Sequence, residues 1–476
     1  MAVCKSKRHK SQKDEAESRK DWYWGGVICS SNEAFVMKAE RRNDIIQLES
    51  ANNWKQEDSM KESKPYEIPK IRILEAYRLV KANRGSAGID GMDFEDFEKH
   101  LNNNLYKIWN RMSSGSYFPL PVMAVEIPKK LGGTRKLGIP TITDRIAQMV
   151  AKMYIEPVVE PMFHEDSYGY RPNKSALDAV GQTRKRCWRY DFVIELDIRG
   201  LFDNIDHELL MRVVNRHVKE EWIKIYIQRW LKTPFIEKQG VLTERTSGTP
   251  QGGVISPILA NMFMHYVFDM WMVRNFPNAP FERYADDGVV HCKTEQEAII
   301  IHKALDERMK SCKLELHPLK TRIVYCKDKD RTREYPITEF DFLGYTFKRV
   351  YINCKDGMKR INFIASASKK SCKAFRDKVK AMDIHKHTGC KIDMIAEKLN
   401  PILRGWINYF SKFNASALKY TLDCIDRRLV KWAMCKFKRF RGHRRVAEEW
   451  LKEVRLRNGN LFAHWSFRNG YLKRVE

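Results

Sequence analysis

Two adjacent aspartates interrupt a stretch of the chain that otherwise has the composition of buried β-structure. The run is Phe281-Glu282-Arg283-Tyr284-Ala285-Asp286-Asp287-Gly288-Val289-Val290. An Asp-Gly pair between two strand-like halves is typical of a hairpin tip. Ordinary turn residues would satisfy the same pattern, because Asp and Gly are both favoured in turns. A second carboxylate in a similar setting is therefore needed before the run indicates chemistry.

That second carboxylate is Asp197, near the end of the strand-like run 191–198. Alternate side chains of a strand share a face, so Asp197 lies on the face opposite four apolar residues, Phe192, Ile194, Leu196 and Ile198. Phosphoryl transfer to a nucleotide needs two Mg²⁺ about 4 Å apart, and hard cations prefer carboxylate oxygens. Aspartates at strand ends supply such ligands, but only the fold can bring Asp197 next to Asp286.

The overall charge agrees with a polyanionic partner. The chain has 476 residues, and its 87 Lys and Arg against 60 Asp and Glu give a net charge of +27, which favours nucleic acid over the alternative of an anionic membrane. We find no apolar run of 18 residues and no signal segment, so a cytoplasmic protein without a membrane span is expected. The eleven cysteines form no CxxC pair, which argues against a disulfide framework and against zinc.

The pattern along the chain predicts an α+β protein of several units. Residues 1–65 are polar and basic and are expected to be partly disordered. Residues 66–350 mix short strands with helices, and helical spacing begins near Ile68 and stops near Gly85. Residues 351–440 are predicted to be mostly helical. In 441–476 we expect a basic nucleic-acid-binding tail, although a solvated helix face would have the same composition.

Several blocks carry a family resemblance. Tyr284-Ala285-Asp286-Asp287 resembles the YxDD box of reverse transcriptases, in the YADD form common among bacterial group II intron-encoded enzymes. Five further blocks follow the family's order: Ile127–Thr141, Ser167–Pro172, Gly248–Pro257, Phe342–Tyr345 and Arg404–Phe410. Together they cover roughly residues 68–450. The resemblance implies a right-hand polymerase with fingers and palm, followed by an α-helical thumb or maturase domain.

The resemblance also implies site residues. Asp197, Asp286 and Asp287 match the catalytic, metal-binding triad, with Mg²⁺ as cofactor and Mn²⁺ as a possible substitute. The positions expected to bind dNTP are Lys129 (or its neighbour Lys130), Arg135, Phe202 and Gln251. Phe202 falls where the family places the ring that excludes a 2′-hydroxyl, although it could equally be a core residue. The positions expected to contact template or primer are Tyr284, Gly252, Lys320 and Arg171.

The partners implied are intron RNA as template and splicing substrate, a DNA primer or target, and dNTPs; the resemblance leaves a homodimer open. The paired CxxC motifs of a C-terminal HNH-type endonuclease do not occur in the sequence, and His443, His464 and Cys435 lack metal-ligand spacing. The leading hypothesis is an RNA-directed DNA polymerase that promotes intron splicing and mobility. The alternatives are an RNA-binding splicing cofactor without polymerase activity and a domesticated reverse transcriptase in phage defence or DNA repair.

Overall fold

The computed structural model describes residues 64–128, 134–237, 240–353 and 359–472, and all of them belong to one compact unit. The predicted N-terminal extension, residues 1–65, therefore falls almost entirely outside the described residues. None of the described helices combines the length and the apolar composition that a membrane span requires.

The first part of the described chain is helical and then forms a small sheet. Its elements are α1 (Lys70–Ala82), α2 (Phe94–Lys99), α3 (Leu101–Ser113), β1 (Val122–Pro128), β2 (Thr134–Ile139), α4 (Ile142–Val159), α5 (Ala176–Cys187), β3 (Phe192–Asp197), α6 (Leu201–Asn204), α7 (His207–His217), α8 (Glu221–Lys232), β4 (Phe235–Ile236) and β5 (Leu242–Thr243). Helix α1 buries Ile73, Tyr77 and Val80 and ends at Ala82 with Asn83 as its C-cap, close to the stop near Gly85 that the sequence predicts. The fingers sheet has the order β2-β1-β4-β5, with β1 and β2 antiparallel.

The middle of the chain builds the palm sheet, whose strand order is β6-β7-β3-β8. Its remaining elements are α9 (Ser256–Met264), a π-helical turn (His265–Asp269), α10 (Met270–Asn275), β6 (Phe281–Tyr284), β7 (Asp287–Cys292), α11 (Glu295–Ser311) and β8 (Arg322–Tyr325). Strand β3 is paired on both sides, antiparallel to β7 and to β8. The strand that ends in Asp197 is therefore an interior strand of the sheet and has no unpaired edge.

Both faces of β3 are buried, which the sequence pattern did not indicate. Phe192, Ile194 and Leu196 pack into a core shared with the helices of the fingers. Val193, on the opposite face, packs into a second core that contains the C-terminal helices. The face that carries Asp197 is therefore also covered by protein over most of the strand, and only its end reaches the site.

The C-terminal part starts with a three-stranded sheet and continues as helices. Its elements are β9 (Phe340–Phe342), β10 (Tyr345–Asn353), β11 (Lys359–Ala367), α12 (Lys369–Ala381), α13 (Ile392–Phe410), α14 (Lys419–Lys436), α15 (Arg444–Arg457) and α16 (Ala463–Leu472). Short 3₁₀ turns occupy Glu160–Met162, Ile384–Lys386, Ala415–Leu418 and Lys438–Phe440. We call residues 369–472 the thumb.

Two of the predicted domain boundaries do not coincide with breaks in the structure. Position 350 lies inside β10, whose pairing with β11 runs from Tyr345 to Asn353. The segment from 441 forms α15 and α16, and Phe462 and Trp465 are fully buried in the thumb core. The indole Nε1 of Trp465 donates to Asp426 Oδ1 at 2.8 Å. The predicted basic tail is thus an integral layer of the thumb up to residue 472.

The α+β fold, with a helical C-terminal region, is confirmed. The thumb is joined to the palm by hydrogen bonds that cross between β9–β10 and the end of α13. The hydroxyl of Tyr345 donates to the carbonyl of Tyr409, and the hydroxyl of Tyr409 donates to the carbonyl of Leu343 at 2.8 Å. Two of the blocks noted in the sequence, 342–345 and 404–410, therefore meet at this junction.

Candidate active site

The palm sheet brings the three predicted aspartates together. Asp197 is the last residue of β3 and Asp287 is the first residue of β7, and the antiparallel register places these two residues directly opposite each other. Asp286 precedes β7, and its carbonyl accepts from the amide of Ile198 at 3.3 Å. A separation of 89 residues in sequence is thus closed by one pair of neighbouring strands.

The hairpin tip lies two residues earlier than the sequence predicts. Tyr284 pairs with Asp287, so the two-residue loop is Ala285-Asp286, and Asp287-Gly288 already belongs to β7. Ala285 takes the left-handed φ of 57° that the tight turn requires. The Asp-Gly prediction was wrong because the register is fixed by pairing with β3, and that pairing extends as far as Asp287.

The electrostatics of the site favour a bound cation. Burial raises the pKa of the Asp287 carboxyl to about 8, and the nearby carboxylates of Asp286 and Asp197 add to the rise. Lys320 Nζ lies 2.7 Å from Asp197 Oδ2 and compensates part of this negative charge. Hard oxygen ligands with excess negative charge fit a divalent metal ion, the kind of cofactor that this class of polymerase generally uses.

The described residues contain no closed group of three or more His, Cys, Asp or Glu side chains arranged around one metal position. An open set of carboxylates at strand ends suits Mg²⁺, which keeps several waters and shares the phosphates of its substrate. Asp197, Asp286 and Asp287 are the residues that could contribute carboxylate oxygens to such an open shell.

A buried arginine beneath the hairpin fixes the position of the turn. Arg283 is 1% exposed, and its Nε and Nη2 each donate to one carboxylate oxygen of Asp269 at 2.7 Å. Nη2 also donates to Ser167 Oγ at 2.9 Å, and Nη1 donates to Asn261 Oδ1 at 3.2 Å and to the carbonyl of Ala285 at 3.3 Å. One side chain thus connects the hairpin to the π-helical turn, to α9 and to the loop that begins at Ser167.

That loop packs against the hairpin without any intervening side chain. A Cβ on Gly169 would lie 2.6 Å from the backbone nitrogen of Ala285, which is closer than atoms can approach. The carbonyl of Gly169 accepts from Asn261 Nδ2 at 2.7 Å. Gly169 is therefore the residue that allows the loop and the hairpin to touch.

The loop 248–253 connects the predicted nucleotide-selecting ring to the fingers. The amide of Thr249 donates to the carbonyl of Phe202 at 2.7 Å, and the amide of Gly138 on β2 donates to the carbonyl of Gln251 at 2.7 Å. Gln251 Nε2 donates to Asp203 Oδ2 at 3.3 Å. Gly252, with φ of 117°, lies so close to Gly138 that a Cβ would be 2.3 Å from its carbonyl oxygen.

The predicted site residues differ in how they are placed. Phe202 is half-buried, and its ring centroid lies 6.4 Å from that of Tyr170, which in turn lies 6.2 Å from Tyr284. Tyr170 thus connects the ring of Phe202 to that of Tyr284 in the hairpin. The two fingers cations are not placed: Lys129 lies outside the described residues, and only the backbone of Arg135, paired with Ile127, is described.

Arg171 is held by protein groups. Its Nε donates to Glu160 Oε1 at 2.9 Å, and its Nη1 donates to the carbonyls of His164 at 2.6 Å and Ser167 at 2.7 Å. These contacts hold the guanidinium against the loop, and the template or primer contact of Arg171 stays a prediction.

Arg283, Asp269 and Asn261 were missed by the sequence reasoning. The available signal was a charged pair, Glu282-Arg283, inside a run that is otherwise buried. Glu282 is fully buried as well and accepts from Arg186 Nη1 at 2.6 Å and Thr183 Oγ1 at 3.1 Å. Charges in such a run must have buried partners, and their identity depends on the tertiary fold.

A palm sheet with aspartates at the ends of two antiparallel neighbours, flanked by fingers and a helical thumb, defines a right-hand nucleic acid polymerase. Comparison with family models agrees. Residues 127–347 match a family described as "Reverse transcriptase (RNA-dependent DNA polymerase)", and residues 372–450 match one described as "Group II intron, maturase-specific domain".

Similar proteins were found in bacteria and fungi. Protein YkfC of Escherichia coli is 31% identical over 303 residues, which is 54% of this chain and 77% of that protein. The group II intron-encoded protein LtrA of Lactococcus lactis is 34% identical over 191 residues, 40% of this chain and 32% of LtrA. The putative COX1/OXI3 intron 2 protein of Saccharomyces cerevisiae is 29% identical over 216 residues, 43% of this chain and 24% of that protein. The chain belongs to the group II intron reverse transcriptase and maturase family.

The contact between Gly169 and the hairpin yields a test of the site. Gly169→Ala should slow single-turnover primer extension by about tenfold to a hundredfold, because the added Cβ must displace the turn that carries Asp286. The matched control is Gly389→Ala, where a Cβ meets nothing within 4 Å. Wild-type rates in a folded Gly169→Ala protein would contradict the proposed packing.

Proposed function

We propose that this chain extends a DNA primer with dNTPs on an RNA template, and that it binds group II intron RNA to promote splicing and mobility. The observation that carries the proposal is the register of β3 and β7, which pairs Asp197 with Asp287 in a chain that also has a maturase-specific domain. Because the chain matches only 32% of LtrA, the activities of that larger protein are proposals here. We further propose that the protein acts in the bacterial cytoplasm.

Asp197, Asp286 and Asp287 would hold the metal ions, for which Mg²⁺ is the proposed species. Bound there, Mg²⁺ would activate the primer 3′-hydroxyl and stabilise the charge of the triphosphate. Lys320 orients Asp197 through its 2.7 Å contact. Arg283 holds the carbonyl of Ala285 and thereby orients the two aspartates that follow it. The protein thus presents its carboxylates in a preorganised arrangement.

Nucleotide selection is proposed for the surface formed by Phe202 and the loop 248–253. The backbone hydrogen bond from Thr249 to Phe202 fixes the ring relative to Gln251. A bulky ring at that position would exclude ribonucleotides by clashing with the 2′-hydroxyl. Lys129 and Arg135 are proposed to bind the triphosphate, because a point charge and a planar guanidinium suit different phosphate oxygens.

We prefer the maturase hypothesis to the two alternatives, a splicing cofactor without polymerase activity and a domesticated polymerase. A splicing cofactor without polymerase activity would have no need to keep three aspartates at the ends of paired strands. A domesticated polymerase with no intron partner would not require the thumb that matches a maturase-specific domain over residues 372–450. Cationic helices in that domain, such as α12, suit the phosphates of folded RNA.

The metal-binding role of the hairpin can be tested with an isosteric change. Asp286→Asn should reduce primer extension by about a hundredfold or more, because an amide is a poor ligand for a hard cation. Its affinity for RNA should stay nearly unchanged. Asp377→Asn, at an exposed carboxylate on α12, is the control. Full primer extension by the Asp286→Asn protein would refute the assignment.

The role of Phe202 predicts a change in sugar selectivity. Phe202→Ala should increase the ratio of rNTP to dNTP incorporation by about tenfold or more, since the change removes the steric clash. The neighbouring Leu201→Ala serves as control, because Leu201 is buried in the core and its loss affects stability without touching selectivity. An unchanged ratio in Phe202→Ala would make Phe202 a packing residue.

A further inference from the structure

An exposed aromatic ring on the thumb is flanked by two guanidinium groups. Tyr420, in the first turn of α14, is 62% exposed. The Cζ of Arg376 on α12 lies 5.4 Å from its ring centroid, and the Cζ of Arg427, two turns further along α14, lies 5.3 Å away. Surfaces on which nucleobases stack combine an exposed aromatic ring with neighbouring cations, and Tyr420 has both features.

The two guanidiniums lie over the ring of Tyr420, and each is held there by a hydrogen bond, one to a hydroxyl and one to a cysteine sulfur. Arg376 Nη1 donates to Thr421 Oγ1 at 3.4 Å, and Arg427 Nη2 donates to Cys424 Sγ at 2.8 Å. Neither of these hydrogen-bond partners is a carboxylate, so the guanidiniums have N–H donors left for an external anion. The side chains are thus positioned in advance at little cost to their ability to bind phosphate.

The surroundings of the ring are also cationic. Helix α12 carries six Lys or Arg residues and a single acid, Asp377. On α14 both acids pair with one arginine of α16, since Arg468 lies 2.6 Å from Asp423 and 3.0 Å from Asp426, which compensates part of their negative charge. A polyanion approaching Tyr420 therefore meets a positive field, which favours nucleic acid over an apolar or basic protein partner.

We propose that Tyr420 stacks an unpaired base of bound RNA, while Arg376 and Arg427 contact the phosphates on either side. A base must be free of its neighbours to lie on the ring, so single-stranded loops or bulges are the ligand and an uninterrupted duplex is not. The inference rests on the proposed RNA-binding role and adds a contact made by the thumb, outside the polymerase centre.

Binding of defined RNAs to the full-length protein tests the stacking. The probes are a 15-nucleotide single-stranded oligouridylate and a 15-base-pair RNA duplex, measured by fluorescence anisotropy without dNTPs. Tyr420→Ala should weaken single-strand binding by about tenfold and leave duplex binding unchanged, whereas Tyr420→Phe, which keeps the ring, should stay within twofold of wild type. Tyr106→Ala, at an exposed ring on α3, should change neither affinity.

The salt dependence of RNA binding distinguishes the contribution of the ring from that of the two cations. Replacing Arg376 and Arg427 together by Gln should lower the slope of log K against log salt by about 1.4, because each lost phosphate contact on a single strand contributes about 0.7. Tyr420→Ala should leave the slope unchanged. A slope that falls equally in both variants would indicate unfolding of the surface and would overturn the division of roles.

Crosslinking locates the contact directly. It detects the contact even if other sites dominate the affinity for RNA. RNA containing 4-thiouridine should crosslink to the tryptic peptide Tyr420–Arg427, and Tyr420→Ala should lose that product. Unchanged single-strand affinity together with no crosslink in this peptide would overturn the proposal. A wild-type protein that binds single-stranded RNA but extends no primer would refute the polymerase function and not this site.

Discussion

The buried ion pair between Arg283 and Asp269 is the interaction on which the geometry of the catalytic hairpin depends. Both side chains are almost completely excluded from solvent, and the pair is bidentate. Leaving one member of such a pair without its partner typically costs about 3–5 kcal/mol. The same guanidinium also donates to the carbonyl of Ala285. The Arg283 guanidinium, which its buried partners hold in place, therefore stabilises the strained turn at Ala285, just before Asp286.

Asp269 belongs to a π-helical turn between α9 and α10. Such turns shift the following residues around the helix axis and occur frequently near functional sites. Here the turn places a carboxylate under the palm hairpin, while Asn261, two turns earlier, binds the carbonyl of Gly169. The loop that begins at Ser167, helix α9 and the hairpin therefore meet at one buried point around Arg283.

The sequence predicted those elements that depend on local pattern. It did not predict features whose position depends on the pairing of distant segments in the fold. Asp197 and Asp286 could be identified from strand periodicity and from the YADD block. The hairpin tip could not, because pairing with β3 extends to Asp287 and overrides the turn preference of Asp-Gly. The hydrogen bonds of Arg171 could not be predicted, because a cation in a nucleic-acid motif looks the same in sequence whether it faces solvent or bonds to Glu160.

The predicted boundary at residue 441 was wrong for a related reason. A basic composition suggested a tail after 441, but the apolar residues Phe462 and Trp465 complete the core.

The fold and the site together describe an intron maturase that copies RNA. Its most direct test is to crosslink the protein to RNA in its host and to sequence the RNA recovered. The account predicts one dominant structured RNA that contains this reading frame. A dispersed set of transcripts, or a separate small RNA, would contradict it and would favour a domesticated polymerase.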